Sequence, residues 1–232
     1  MKRRPIFYDT ETTGIRASTD RIVEIAAFDP ERNLTFEKLI NPGIPIPSEA
    51  SSIHHITDDM VAESPSFAQI GQEFIDFCDG DVVLIAHNND AFDVHFVRNE
   101  LERHQMALPG HWKFLDSLKW ARRYRPDLPR HTLQFLREMY GVAVNNAHRA
   151  LDDVVVLYEI FIAMVDDLSI DDALSLLERP RDLQHMPFGK HQGKPLKDLP
   201  SDYLRWLSGN GAFEKAENQE LRLSLQKLGL LT

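Results

Sequence analysis

Phe7-Tyr8-Asp9-Thr10-Glu11-Thr12-Thr13-Gly14 is the stretch on which the fold of this chain turns. Pro5-Ile6-Phe7-Tyr8 is an apolar run and predicts the first half of a buried strand. Side chains at i and i+2 of a strand share one face, so Asp9 and Glu11 project together. Two neighbouring carboxylates repel and raise each other's pKa. A divalent cation relieves that cost, and Mg²⁺ and Mn²⁺ prefer oxygen ligands. A second reading stays open on this stretch alone: a strand end running into a polar turn, Thr12-Thr13-Gly14. Acids elsewhere in the chain must decide.

The 232 residues suffice for one large domain, or for one domain and a small module. A hydrophobic fraction of 43% supplies a core, and 27% charged residues is ordinary for a soluble chain. Cys78 is the single cysteine, which excludes a disulfide framework and fits a reducing, cytoplasmic compartment. Met1-Lys2-Arg3-Arg4 is basic, but no long apolar region follows, so no signal peptide is expected. The longest apolar helical pattern, Val154 to Val165, contains Glu159 and is too short to span a bilayer; no membrane partner is expected. The net charge of −10 argues against a nucleic-acid partner until its distribution is considered. Residues 179–232 hold nine Lys/Arg and six Asp/Glu, a net of +3, whereas residues 1–178 hold seventeen and thirty, a net of −13. An acidic, cation-binding body with a basic tail suits a metal-dependent nuclease, and a solvated acidic surface has the same signature.

Ile22 to Phe28 and Leu34 to Ile40 read as strands around the turn Asp29-Pro30-Glu31-Arg32-Asn33, an antiparallel meander with the first strand. Thr57 opens a short helix, and Ser66 opens another with Phe67, Ile70, Phe74 and Phe77 on one face. Val82 to Ala86 is wholly apolar and predicts a strand buried on both faces. Helices follow from about Ala91 to His104, Leu118 to Tyr124, Thr132 to Tyr140, Arg149 to Asp166 and Ser169 to near Pro180, with a brief strand at Phe114-Leu115-Asp116. That order predicts an α/β fold, a mixed sheet flanked by helices, over residues 1–178, with a boundary at Arg179-Pro180-Arg181.

Further acids lie where this arrangement places ligand sites. His87-Asn88-Asn89-Asp90-Ala91-Phe92-Asp93 follows the buried strand, and ligands bind at the C-terminal ends of strands in such sheets. Asp93 is in phase with Phe96, Val97 and Leu101, so its carboxylate leans toward apolar surroundings and needs a partner. Asp90 reads instead as the helix N-cap. In the later helix Asp153 lies on the apolar stripe of Ala150, Val154, Leu157, Phe161 and Met164, whereas Asp152 is turned aside. His148 precedes that helix, within reach of the same site as a proton acceptor, and a surface or capping histidine is the alternative.

Asp9-x-Glu11-Thr12-Thr13-Gly14, Asn89-x-x-Phe92-Asp93-x-x-Phe96 and His148-x-Ala150-x-x-Asp153 together resemble the three motifs of the DnaQ-like DEDDh 3′–5′ exonucleases, in order and at similar separations. Leu115-Asp116-Ser117-Leu118 with Arg122-Arg123 also resembles a segment of that family, and the resemblance covers roughly residues 5–170. It implies a ribonuclease H-like five-stranded mixed sheet and hydrolysis with two Mg²⁺ ions, for which Mn²⁺ substitutes. By the resemblance Asp9, Glu11, Asp93 and Asp153 hold the ions and His148 takes the proton of the attacking water. Thr12, Thr13, Gly14, Ile15, His54, Asn89 and Phe92 line the terminal nucleotide. The implied partner is nucleic acid with a free 3′ end, with single-stranded or frayed DNA favoured, and a DNA polymerase is a further one. The sequence departs from the family pattern at Asn88, where the family has histidine, and at His55, where it has glycine.

The tail opens with the glycine-punctuated basic loop Met186-Pro187-Phe188-Gly189-Lys190-His191-Gln192-Gly193-Lys194. A helix from Leu199-Pro200 carries Tyr203, Trp206 and Leu207, and another runs from about Ala216 to Leu228. The segment resembles the C-terminal module of exodeoxyribonuclease X-like proteins. Lys190, Lys194 and Lys197 are candidate phosphate contacts, and Trp206 reads as core. RNA 3′-end trimming and an epsilon-like proofreading subunit of a polymerase remain alternative functions.

Overall fold

The computed structural model describes residues 2–143, 150–215 and 218–231. The chain divides into two compact units, Met1–Ser175 and Leu176–Thr232.

The first unit is built on five strands: β1 (Arg4–Thr12), β2 (Ile22–Asp29), β3 (Leu34–Leu39), β4 (Val82–Ala86) and β5 (Lys113–Asp116). Their order is β3-β2-β1-β4-β5, so β1 is the central strand. It pairs antiparallel with β2 and parallel with β4, which makes the sheet mixed, as the alternation of elements predicts. The register with β2 shifts between Glu11 and Thr12, an irregularity that ends regular pairing beside the acid pair.

Helices α1 (Ser48–His54), α2 (Asp58–Val61) and α3 (Phe67–Phe77) lie between β3 and β4. Ser66 and Gln69 form the turn that starts α3, with the Gln69 Oε1 accepting from the Ser66 amide at 3.3 Å. Helix α4 (Asp93–Arg103) joins β4 to β5, and α5 (Ser117–Tyr124), α6 (Leu133–Tyr140), α7 (Ala150–Val165) and α8 (Ile170–Glu178) follow. One side of the sheet is covered by α3 and α4, whose Phe74, Phe96, Val97 and Leu101 are packed in one cluster with Ile6, Tyr8 and Leu84. On the other side Phe7 meets Tyr158 and Phe161 of α7 edge-on, at centroid distances of 5.2 and 5.9 Å. Each fully buried apolar side chain of this kind is worth about 1.5–3 kcal/mol. Central β1 therefore sits clamped between helices.

The expected cap at Asp90 is not formed. Asn89–Ala91 make a single 3₁₀ turn, α4 begins after Phe92, and the Asp90 carboxylate instead pairs with Lys119 at 2.9 Å. Asp90 lies within that turn, two residues before Phe92, so it does not occupy the position from which a side chain caps α4.

The second unit holds α9 (Ser201–Gly209) and α10 (Gln219–Lys227), with short 3₁₀ turns between and before them. Its own core is Met186, Leu196, Leu199, Tyr203, Leu204, Leu207, Phe213, Leu221 and Leu225. Trp206, read from the sequence as core, is 58% exposed. At about 100° per residue, Tyr203, Leu204 and Leu207 share the inner arc of α9, and position 206 falls on its flank. Among the described residues no helix is long and apolar enough to cross a membrane.

Candidate active site

Strand alternation does at Asp9 and Glu11 what the sequence predicts: both carboxylates leave β1 on one side, partly exposed, while Tyr8 and Thr10 are buried on the other. Asp153, in the first turn of α7, is partly buried and close enough to raise the pKa of both strand acids. Asp93, at the start of α4, is 2% exposed, and the Thr10 hydroxyl donates to its Oδ1 at 2.7 Å. Thr10 thus reaches away from the acid pair to hold the acid that α4 supplies.

The electrostatics are those of crowded carboxylates. Burial, then the charges of Asp93, Glu11, Asp153 and Glu24, push Asp9 well above the usual carboxylate range. Burial, then Glu24, Asp153 and Asp93, push Glu11 up to about 8. Burial raises Asp93 to about 7 against the opposing hydrogen bonds from Thr10. Among the described residues no three His, Cys, Asp or Glu side chains stand at metal-holding spacing. The donor set still fits a hard divalent cation: the ligands are all oxygen, and their mutual repulsion is the term a cation removes. His148 lies in 144–149, outside the described residues.

Two acids that the motif spacing does not reveal belong to this framework. Glu24 of β2, opposite Glu11, is 0% exposed, and its Oε2 accepts from the Ala150 amide at 3.3 Å, which ties the start of α7 to the sheet. Asp116 accepts from the amides of Asn88, Asp90, Leu118 and Lys119 at 2.9–3.2 Å, so one carboxylate holds both the β4–α4 turn and the start of α5. Its only sequence sign is its place in the family-like segment after β5.

Beside the acids is a cleft of about 410 Å³, lined by Thr10 to Arg16, Asp20, His54 and Phe92 among others. Ile15 stands 84% exposed at its edge, and Phe92 packs on Phe96 at 4.8 Å. Thr12 and Thr13 line the cleft, but their hydroxyls are used within the turn: Thr12 Oγ1 donates to the Gly14 carbonyl at 2.6 Å, and Thr13 Oγ1 accepts from the Arg21 amide at 3.0 Å. A Cβ on Gly14 would lie 2.5 Å from Asp20 Oδ2, so a side chain there would push the Asp20 carboxylate off the Arg16 amide that it accepts from at 2.7 Å. His54 is 2% exposed, its Nδ1 accepts from the Ile56 amide at 3.0 Å, and burial lowers its pKa, so a neutral ring carries its hydrogen on Nε2.

Asn89, expected at the substrate, is buried and bonded within the chain. It is 0% exposed, accepts from the Tyr8 hydroxyl at 2.5 Å and donates to the carbonyls of Leu115 and Leu84 at 3.2 and 3.4 Å. A buried amide used this way ties β1, β4 and β5 together. His87 bridges Ser117 Oγ and the His131 carbonyl, each at 2.9 Å, and is likewise internal.

A family model described as exonuclease (RNase_T) matches residues 6–161, more than half of the chain. The chain belongs to the DnaQ-like 3′–5′ exonuclease family. Its relatives include DNA polymerase III subunit epsilon of Treponema pallidum, 42% identical over 163 residues that span 68% of this chain and 74% of that protein. Exonuclease DPD1 of Arabidopsis thaliana is 35% identical over 181 residues, 71% of this chain and 57% of that one. PolC-type DNA polymerase III of Caldanaerobacter subterraneus is 33% identical over 192 residues, 78% of this chain and 13% of the polymerase. The match thus spans little more than half of one relative and a small part of another. Among solved structures, E. coli exonuclease I in complex with a dA16 oligonucleotide superposes with a TM-score of 0.63 at 21% identity, over 75% of this chain and 43% of that one. Exonuclease X in complex with 5′-overhanging duplex DNA gives 0.56 at 24%, over 75% and 99%. Both show the shared exonuclease fold. Residues 181–225 match a second, shorter model named for a quorum-sensing-regulated virulence factor.

Proposed function

We propose that this exonuclease removes nucleoside 5′-monophosphates from DNA 3′ ends, using two Mg²⁺ ions held by Asp9, Glu11, Asp93 and Asp153, with Mn²⁺ able to replace them. The observation that supports the reading is that acids from β1, α4 and α7 lie near enough to raise one another, with Glu11 pushed up to about 8 at the edge of the cleft and Asp93 up to about 7. Bound divalent cations supply a nucleophilic water at neutral pH and offset charge on the phosphate.

The chain's own groups do the positioning. Thr10 fixes the Asp93 carboxylate, and Glu24 secures the start of α7 that bears Asp153. Exposed Ile15 and half-buried Phe92 pack against the terminal bases, a contact that tolerates any sequence. Thr12, Thr13 and Gly14 present the turn backbone to the terminal nucleotide, and the neutral His54 ring closes the cleft floor. His148 accepts the proton of the attacking water, a role that rests on its motif. Lys190 and Lys194 of the tail meet phosphates.

The epsilon relative favours a setting in proofreading, with a DNA polymerase as partner; a stand-alone repair role is the other setting. Digestion of 3′-labelled single-stranded DNA, mismatched duplex and RNA, with Mg²⁺ and with chelator, tests the proposal. Stepwise loss of mononucleotides from DNA in Mg²⁺ alone is expected. Preferential digestion of RNA, or undiminished activity in chelator, would overturn it.

A further inference from the structure

The C-terminal unit carries an apolar surface that its own core does not use. Trp206 is 58% exposed while its neighbours Tyr203 and Leu207 are buried. Its indole lies nearly parallel to the Tyr203 ring, with centroids 5.8 Å apart and planes 14° from each other, and more than half of the residue stays open to solvent. An exposed tryptophan forfeits the burial that usually retains it, and a stacked, solvent-open one is shaped to receive another flat ring.

The loop beside it is closed and cationic. The Met186 amide donates to the Lys194 carbonyl and the Gly193 amide to the Met186 carbonyl, both at 2.8 Å, and Met186 itself is buried. Gly189, at φ 72°, brings the loop down on the Tyr203 hydroxyl, which lies 3.0 Å from where a Cβ would stand. This seats Lys190 Nζ 5.6 Å from the Tyr203 ring centroid and His191 edge-on to the same ring at 4.5 Å. Clefts of about 480 and 380 Å³ open on either side of Trp206 and Lys190, the first also bordered by Asp202 and the second by Lys215. Two of the unit's acids are paired elsewhere, Asp182 with Lys227 and Glu220 with Arg181, so they do not oppose this surface.

We propose that Trp206, stacked on Tyr203 and flanked by Lys190, is a second contact for single-stranded nucleic acid, taking a base on the indole face and the adjoining phosphates on the basic loop. A stacking ring with a cation at its edge is the combination that binds single strands without regard to sequence. The net charge of +3 over residues 179–232 favours a polyanion over an acidic or neutral cleft's ligands. The inference rests on the proposed nuclease activity only in taking DNA as the probe. A second contact on the same chain would hold a long strand after each cleavage through its high effective concentration.

Fluorescence anisotropy of a labelled 20-nucleotide single strand with the full chain in chelator measures the contact without digestion. Trp206→Ala should weaken binding about tenfold, with Trp206→Phe retaining most of it. Lys190→Glu should lower the slope of log K against log salt by about 0.7, one phosphate's share. In Mg²⁺ Trp206→Ala should keep wild-type kcat on a dinucleotide, which offers one phosphodiester and cannot occupy two contacts, while KM rises on the 20-mer. Circular dichroism confirms that each variant is folded. Equal affinity of wild type and Trp206→Ala for the strand would overturn the inference, as would loss of a protein partner by Trp206→Ala with DNA affinity unchanged. A wild-type chain that binds DNA through Trp206 yet digests nothing would sink the active-site reading and leave this one standing.

Discussion

Tyr8 and Thr10 leave β1 on one side and Asp9 and Glu11 on the other, and the chain treats the two sides differently. On the first side the polar groups are satisfied. Tyr8 and Thr10 are 0% and 4% exposed, and their hydroxyls donate to Asn89 and Asp93. On the second side carboxylates face carboxylates, and burial with mutual repulsion raises both Asp9 and Glu11. Alternate residues of one strand thus carry opposite tasks: one set anchors the neighbouring helix, the other holds unfavourable charge in place for a ligand. The sites where a protein accepts such a cost are functional ones. The clamp of α3, α4 and α7 around β1 is what holds that charge in register.

The sharpest way to break the contrast is to remove the charged side. Asp9→Ala should lower kcat by about a thousandfold or more, since the lost stabilisation at the phosphate amounts to several kcal/mol, while the fold survives. Mononucleotide release and circular dichroism check the two halves; wild-type activity in this variant would remove Asp9 from the site.

A titration addresses the same side without mutation. Glu11, raised from 4.5 to about 8, binds its proton more tightly folded than unfolded. Its contribution to stability is therefore complete below pH 4.5 and is lost as pH rises through about 8, and Asp93, raised to about 7, acts in the same direction. In chelator Tm should fall by several degrees between pH 5 and 8. Added Mg²⁺ should restore most of it at pH 8 and little at pH 5, because only the ionised acids bind it. A Tm that Mg²⁺ leaves unchanged at pH 8 would detach the raised acids from metal binding.

The anchoring side predicts smaller losses. Thr10→Val keeps the shape but leaves Asp93 without its hydroxyl donor, and should cost 10–100-fold in metal affinity or activity, about what removal of a ligand's supporting partner costs. Metal titration by calorimetry measures it. Tyr8→Phe leaves Asn89 Oδ1 without its donor and should cost about 1–3 kcal/mol in denaturant unfolding, with activity per folded molecule unchanged. If Tyr8→Phe lost activity as Asp9→Ala does, the two sides of β1 would not be separable.

Much of this was legible from residue order. The run Pro5 to Tyr8 announces a buried strand and the wholly apolar Val82 to Ala86 one buried on both faces, and both are interior strands of the sheet. The period of a helix and the stripe of Val154, Leu157 and Phe161 are what single out Asp153 over its neighbour Asp152, and Asp153 lies close enough to raise Asp9 and Glu11. The differences fell where a side chain's fate depends on a neighbour distant in sequence. Asn89 looks like an open loop residue, yet the Tyr8 hydroxyl, supplied by β1, and the Leu115 carbonyl, supplied by β5, bond it. Asp90 looks like a cap, but Lys119 of α5 draws it away. Trp206 looks like core on hydrophobicity alone, and Tyr203, Leu204 and Leu207 fill the inner arc without it.

By itself the sequence determined that Asp9 and Glu11 share a face, that Asp93 and Asp153 are acids committed to apolar helix stripes, and that these belong to an α/β chain with a basic tail. Periodicity is local, and local periodicity is what side-chain direction depends on. Only the tertiary structure decided that β1 lies at the centre of β3-β2-β1-β4-β5, that Glu24 and Asp116 hold the helix starts, and that Thr10 secures Asp93. Each of those is a pairing between segments far apart in the chain, and hydrogen bonds of that kind leave no period in the sequence to read.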